Sequence, residues 1–373
     1  MKIRILLLTL CISLQLYAQK TYVYFGSYNV EKSSEGIYVY ELNNDTGNLT
    51  KITSISGFLN PSFLAVSKDG KTVFSGTESR TKDEGGVRSF NFNAEKKSLE
   101  YINHQKSGGI NPVFLTLHKN GKWLVNANYN DGSFSIFPIG KNGKLEPYVQ
   151  NFKFDEGSIN RDRQETSHVH AATFSPDGKY LFLPDLGADK IRCYEFKNDK
   201  KQPLKECEVP FTKTFSGNGP RHLIFHPNGK FAYGTEELSG TVSVYSYVKG
   251  SLKNIQTLVN DADQKKKNLE TSDVQVSPDG RFLYVGNRGT ENNIIIYAVA
   301  ENGTLKVIGQ ESTFGKNPRV FAIAESGKFL ITTNTVSGDV AVLERNSETG
   351  LLKKAGKDLN IKGVSSVVIR TVK

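Results

Sequence analysis

The chain is 373 residues long and carries 48 lysines and arginines against 38 acids, a formal surplus of +10, with 22 Phe and 16 Tyr but one Met and one Trp. Its basic residues sit in turns such as Lys200-Lys201 and Lys265-Lys266-Lys267 rather than interleaved with aromatics along one stripe, which fits a solvated basic surface or attraction of anionic small molecules and argues against nucleic-acid binding. Three cysteines without paired spacing argue against a zinc site, and no stretch reads as a linker.

At the start, Lys2 and Arg4 precede an apolar run from Ile5 to Leu16, and Ala18 stands before Gln19. Residues 1–18 therefore read as a secretory signal peptide, too short to span a bilayer. Cys11 lacks a small residue ahead of it, which argues against a lipoprotein anchor. Residues 19–373 are expected as one soluble domain outside the cytoplasm, periplasmic or extracellular, whose aromatic content favours pleated surfaces.

TYVYFGSYN (21–29) and GIYVYELNNDTGNLT (36–50) look like the second and third strands of a sheet with no first strand ahead of them. Six near-copies of one segment follow: SKDGKTVF (67–74), HKNGKWLV (118–125), SPDGKYLF (175–182), HPNGKFAY (226–233), SPDGRFLY (277–284) and ESGKFLIT (325–332). Their glycines, at 70, 121, 178, 229, 280 and 327, lie 51, 57, 51, 51 and 47 residues apart, the mark of one supersecondary unit copied around a ring. Each copy opens with an apolar run such as HLIFHPN and turns at Asp-, Asn- or Ser-Gly, where glycine supplies the positive dihedral of a tight hairpin. A second run follows, then a strictly alternating third such as GTVSVYSY (240–247), then a weaker fourth. Four antiparallel strands in so short a repeat describe a propeller blade.

Residues 156–166 explain the 57-residue spacing as an inserted loop, in which Arg163, Gln164 and Glu165 either wall a pocket or only order the loop. Cys193 and Cys207 are equally distant from Lys200, so strands folded about that centre would oppose them; a cross-strand disulfide and two buried thiols both remain open. GVSSVVIR (363–370) reads as a first strand with nothing after it. Joined to the two N-terminal strands it makes a seventh blade. The fold class is all-β: a seven-bladed β-propeller with four antiparallel strands per blade, closed by pairing of N- and C-terminal strands so that no blade is left with an open end.

Residues eight places before and after each turn glycine lie at the same end of their hairpin, roughly 25 Å from the turn at strand rise. The earlier position reads Ser62, Val113, His170, Arg221, Ser272, Arg319; the later reads Glu78, Tyr129, Leu186, Glu237, Arg288, Thr335. Neighbours one step closer to the turn add His222 and Asp273 on one side and Asn128, Asp185, Glu236, Asn287 and Asn334 on the other. Packing would repeat apolar residues here. Most of these residues are polar or ionisable, Val113 and Leu186 excepted, and they differ between blades, which points to one channel mouth that presents mixed charge to a small molecule.

The stretches RDRQETSHVHAATFSPDGKYLFLPDLGADKI (161–191), GNGPRHLIFHPNGKFAYGTEELSGTVSVY (217–245), SDVQVSPDGRFLYVGNR (272–288) and NPRVFAIAESGKFLITTN (317–334) resemble the seven-bladed propeller lactonases, a family that includes propeller-type 6-phosphogluconolactonases and carboxymuconate cyclases. The resemblance covers the whole chain after residue 18. It implies catalytic roles for His170, Arg221, Glu237 and Arg288, with Glu237 as base, one arginine as oxyanion stabiliser and His170 as acid. His168, His222, Asp273, Arg319, Glu78, Tyr129, Asn128, Asp185 and Asn287 are expected to line the substrate. Each has a plainer structural alternative: His170 satisfying backbone groups, Arg221 bracing its turn, Glu237 and Arg288 simply paired.

The implied function is metal-independent hydrolysis of a sugar-acid lactone without a cofactor, with anionic lactones among the expected substrates. The alternatives are a muconate-type lactone cycloisomerase and a non-catalytic binding propeller. An export signal sits awkwardly with a cytoplasmic sugar phosphate, so an unphosphorylated aldonolactone is an open possibility. Oligomeric state is not legible.

Overall fold

The computed structural model describes residues 19–78, 85–263 and 269–372; the segment read as an export signal, residues 1–18, lies outside them. Among the described residues, seven four-stranded antiparallel sheets stand in a ring, and one short 3-10 turn at Lys141–Gly143 is the helical element. No helix among them is long and apolar enough to cross a membrane.

Each sheet is a blade, and first strands pack side by side around the channel except in blade 3, whose second strand packs against the first strand of blade 4. Pro61–Val66, Pro112–Leu117, Thr173–Phe174, Pro220–Phe225, Thr271–Val276 and Pro318–Ile323 open blades 1 to 6. Val364–Val372 opens blade 7, and its other strands, Lys20–Ser27, Ile37–Leu42 and Leu49–Ile55, come from the opposite end of the chain. Backbone pairing from Thr21↔Thr371 to Gly26↔Ser366 closes the ring, as the split repeat required.

Burial explains the sequence pattern within each blade. Second strands such as Trp123–Asn128 and Phe282–Asn287 are buried throughout, because blades cover them on both faces, so they lack polar alternation. The fourth strand of blade 6, Leu352–Asn360, is largely exposed and carries Lys353, Lys354 and Lys357, a charged edge that discourages pairing with another chain. The six repeat glycines all adopt φ between 68° and 74°, as the hairpins demand. The turn also stitches blades together. The His118 ring lies 2.9 Å from the Gly178 carbonyl of the next blade, and His226 meets Gly280 in the same way at 2.8 Å.

Two expectations are resolved or corrected. Cys193 and Cys207 form a disulfide between the third and fourth strands of blade 3, so the alternative of two free thiols falls. The sequence separation is 14, and opening such a loop is expected to lower the unfolding free energy by about 3 kcal/mol. A lower urea midpoint for the Cys193→Ala/Cys207→Ala variant, with activity retained, is the check. In addition, His170 does not begin a full inner strand. The blade 3 ladder shrinks to Thr173–Phe174 plus an isolated Val169↔Asp185 bridge. The Asp185 carboxylate takes over there, accepting from the backbone N–H groups of His168 at 2.9 Å and Ala188 at 3.2 Å.

Candidate active site

The channel mouth is built by one backbone device used seven times. In every blade the residue at the later register position donates its N–H across the hairpin mouth: Tyr28 to Gly363, Glu78 to Asn60, Tyr129 to Asn111, Leu186 to His168, Glu237 to Gly219, Arg288 to Glu270 and Thr335 to Asn317. The earlier position falls in a register slip in blades 1, 2, 4, 5 and 6, at Ser62, Val113, Arg221, Ser272 and Arg319, and blade 7 slips likewise at Ser365. A bulge leaves its extra residue out of the ladder and re-aims the side chain. That is how residues from separate strands turn toward one mouth.

Glu237 is the hub. Its Oε2 accepts from Arg221 Nε at 2.9 Å and lies 2.8 Å from Arg288 Nη2, while Oε1 accepts from Arg163 Nη2 at 2.6 Å. Arg163 belongs to the inserted loop and also reaches the Tyr129 hydroxyl at 3.3 Å, so that loop is a wall of the site. A second pair, Arg319 Nη2 to Glu78 Oε1 at 2.9 Å, is tied to Tyr28, whose hydroxyl donates to Glu78 Oε2 at 2.5 Å. Between them stand three imidazoles. His168 stacks on Tyr129 with ring centres 4.4 Å apart and has Nδ1 2.8 Å from the Tyr129 carbonyl oxygen. His222 has Nδ1 2.8 Å from Asp273 Oδ1. His170 lies with its ring centre 5.3 Å from that of His222, and its buried Nδ1 has no hydrogen-bond partner.

Burial and charge set the protonation states. Burial alone would raise the Glu237 carboxyl, but the Arg288, Arg221 and Arg163 guanidiniums outweigh it and hold the group down at about 2. Burial, followed by the charge of Arg221 and its neighbours, pushes His170 well below 6.5. Burial and then Arg221 lower His222 to about 4 against the pull of Asp273. At neutral pH the mouth thus holds a locked carboxylate in Glu237 and neutral imidazoles in His170 and His222. Four guanidiniums face two carboxylates, Glu237 and Glu78, with Asp273 already engaged by His222. Buried Nε atoms of Arg288 and Arg319 lack partners. Buried donors without partners fit a site that takes an acceptor-rich ligand. Among the described residues no three His, Cys, Asp or Glu side chains gather as metal ligands.

The model of the family described as "Lactonase, 7-bladed beta-propeller" matches residues 22–369. The chain belongs to that family. It is 37% identical over 351 residues to a protein named 6-phosphogluconolactonase from Formosa agariphila, covering 94% of this chain and 99% of the relative. A 6-phosphogluconolactonase of Bacillus subtilis is 31% identical, covering 88% and 92%. The solved periplasmic gluconolactonase of Pseudomonas aeruginosa superposes with a TM-score of 0.88 at 33% identity, covering 95% of this chain and all of that one.

Within this lactonase fold, the structure brings together His170, Arg221, Glu237, Arg288, His168, His222, Asp273, Arg319, Glu78 and Tyr129. It does not bring Asn128, Asp185 or Asn287 to the mouth. Successive strand residues point to opposite faces, so the position one step nearer the turn faces away from its neighbour. These three are at most 1% exposed and serve as latches for the loop arriving from the preceding blade: Asn128 on the Ser107 carbonyl, Asp185 on Ser167 and Asn287 on Asn260. Glu236 and Asn334 do the same with Asn218 and Thr313. These shifts also bear on the roles drawn from the resemblance. A carboxyl held at about 2 by three arginines is a poor base, and a histidine pushed well below 6.5 is a poor acid at neutral pH.

Tyr28 was missed. Its blade lacks the turn glycine from which register was counted; aligning Gly26 with Gly76 would have set Tyr28 beside Glu78. Gly187 is another silent contributor, since a Cβ there would stand 1.8 Å from the Thr166 carbonyl oxygen and 2.8 Å from His168 N. Gly187→Ala is therefore expected to push the segment bearing His168 and His170 out of place. A loss in kcat/KM on the order of 10²-fold, with the folded state retained in circular dichroism, is the expected readout.

Proposed function

We infer that this chain is a lactone hydrolase acting on a sugar-acid lactone at the arginine-lined mouth of its channel. The observation that carries the reading is the unpartnered Nδ1 of neutral His170 set among guanidiniums with free donors. Neutral imidazole takes a proton from water as its oxygen attacks the lactone carbonyl, and the oxyanion forms facing fixed positive charge. When the ring C–O bond breaks, the imidazolium returns the proton to the departing alkoxide. The sum is one water consumed and one hydroxy acid formed. Arg288 and Arg319 hold free Nε–H groups for the oxyanion or a substrate anion, whereas Glu237 keeps three guanidiniums aligned without moving a proton.

Family relatives named for 6-phosphogluconolactone and for periplasmic gluconolactone hydrolysis support the same chemistry. The apolar N-terminal run with Lys2 and Arg4, together with the periplasmic relative, supports export. The surplus of guanidinium charge favours an anionic lactone over a neutral one.

The test is proton release from phosphorylated and unphosphorylated sugar lactones, corrected for spontaneous opening, with the reaction run in oxygen-18 water. Hydrolysis puts the label in the product carboxylate. Turnover without label would make the chain a cycloisomerase, and saturable binding without turnover would make it a binding propeller.

A further inference from the structure

The loop at residues 156–166 stretches its repeat to 57 residues where the neighbouring repeats take 51, so it is more than a blade needs. It is nonetheless tightly held. The buried Gln164 side chain donates to the Leu186 carbonyl at 2.8 Å and accepts the Asn160 N–H at 3.2 Å, while Ser158 Oγ donates to Asp189 at 2.5 Å. Asn160 Oδ1 in turn accepts the N–H of Arg163 at 3.2 Å. An extra segment fixed in this way presents its side chains in one place, so little ordering is left for a ligand to impose.

Arg163 is the side chain it presents to the mouth. Its Nη2 donates to Glu237 Oε1 at 2.6 Å and to the Tyr129 hydroxyl at 3.3 Å, and among the described residues its Nε and Nη1 have no partner. The side chain is 40% exposed, against 1% for Arg221 and 14% for each of Arg288 and Arg319, so of the four guanidiniums it is the one a ligand meets first. Glu237 does not need it for neutrality, because Arg221 and Arg288 already outnumber that carboxylate. Two further acids nearby, Glu165 at 3.4 Å from His168 and Glu270 at 3.9 Å from Arg288, are 58% and 52% exposed and screened by water. The guanidiniums that lower His170 most are those of Arg221, Arg319 and Arg288. Arg163 is linked to that end through Tyr129, whose hydroxyl it touches and whose ring centre lies 5.5 Å from that of His170.

We propose that Arg163 is a specificity residue that binds an anionic group, phosphate or carboxylate, at the end of the substrate remote from the lactone carbonyl. Three of its five N–H donors, on Nε and Nη1, remain for the oxygens of such a group. The charge of the mouth is thereby divided: Arg288 and Arg319 face the oxyanion, and Arg163 sorts substrates.

This inference rests on the lactonase reading and deepens it, and one arm of its test needs no turnover. Calorimetric titration at pH 7 uses 6-phosphogluconate and gluconate, the acids that a phosphorylated and an unphosphorylated lactone leave behind. Wild type should bind the phosphorylated acid more tightly, with a preference that shrinks as salt rises. Arg163→Gln should weaken 6-phosphogluconate about 10- to 100-fold, as expected for hydrogen bonds between charged groups, and gluconate less than about threefold. Arg163→Lys, which keeps the charge without the planar head, should recover part of the loss. In turnover, Arg163→Gln should act mainly through KM for the phosphorylated lactone; a matching fall in kcat would place Arg163 in the chemistry and overturn the sorting role. Equal weakening of both acids would reduce Arg163 to a strut of its loop, and a wild type that binds neither acid, or prefers gluconate, would also sink the proposal. If the preference and its loss appear while no lactone turns over, the anion site stands and the lactonase reading fails. Turnover without any preference leaves the lactonase reading in place and removes Arg163 from substrate choice.

Discussion

Replacing His170 with Asn should lower kcat for the true lactone on the order of 10³-fold with little change in KM, the loss typical of removing a positioned general base. The imidazole is 6% exposed and its free Nδ1 has no structural bond to lose, so the fold should survive. The pH profile gives an independent check. A histidine of ordinary pKa would start to lose activity near 6.5, but His170 is pushed well below that by burial and by Arg221. Its basic form is present above the folded-state pKa and lost as pH falls through it. Wild-type kcat/KM should therefore stay level through 6.5 and decline only in more acid buffer. An acid limb centred at 6.5, or an Asn variant as fast as wild type, would remove His170 from the chemistry.

Glu237→Gln should be the most damaging single substitution for stability, lowering the unfolding free energy by roughly 3–5 kcal/mol, the range for breaking a buried ion pair from one side. Three guanidiniums converge on this carboxylate, and Arg221 is only 1% exposed. The amide removes their counter-charge and points N–H donors at N–H donors. Denaturant unfolding of the two proteins measures the difference. Glu78→Gln, which frees Arg319 alone, should cost less. A Glu237→Gln protein as stable as wild type but inactive would return Glu237 to the role of base and contradict its assignment as counter-ion.

The contrast between Glu237 and Asn287 shows what residue spacing can and cannot reveal. Both sit near the end of a second strand, and counting from a turn glycine places both at the mouth. One lies eight residues on and meets the arginine cluster; the other, seven on, turns the opposite way and latches Asn260. Strand alternation was available to separate them, as was the alignment of Gly26 with Gly76 that would have found Tyr28. A proline precedes each of the bulges at Ser62, Val113, Arg221 and Arg319, a residue that sits at strand starts and bulges, but the direction in which each bulged side chain turns was not legible. Nor was the fate of Cys193 and Cys207, since equal spacing about Lys200 fits an opposed pair whether bonded or not.

From its residues alone this chain determined the number of blades, the closure of the ring by its two ends and the neighbourhood of the site, because a repeat of turn glycines and apolar runs specifies local hairpins and their copies in order. Protonation and role were decided only in three dimensions. The carboxyl of Glu237 and the imidazole of His170 take their character from arginines on other strands and from burial at the ring's centre, and both depend on distances between residues that sequence leaves far apart.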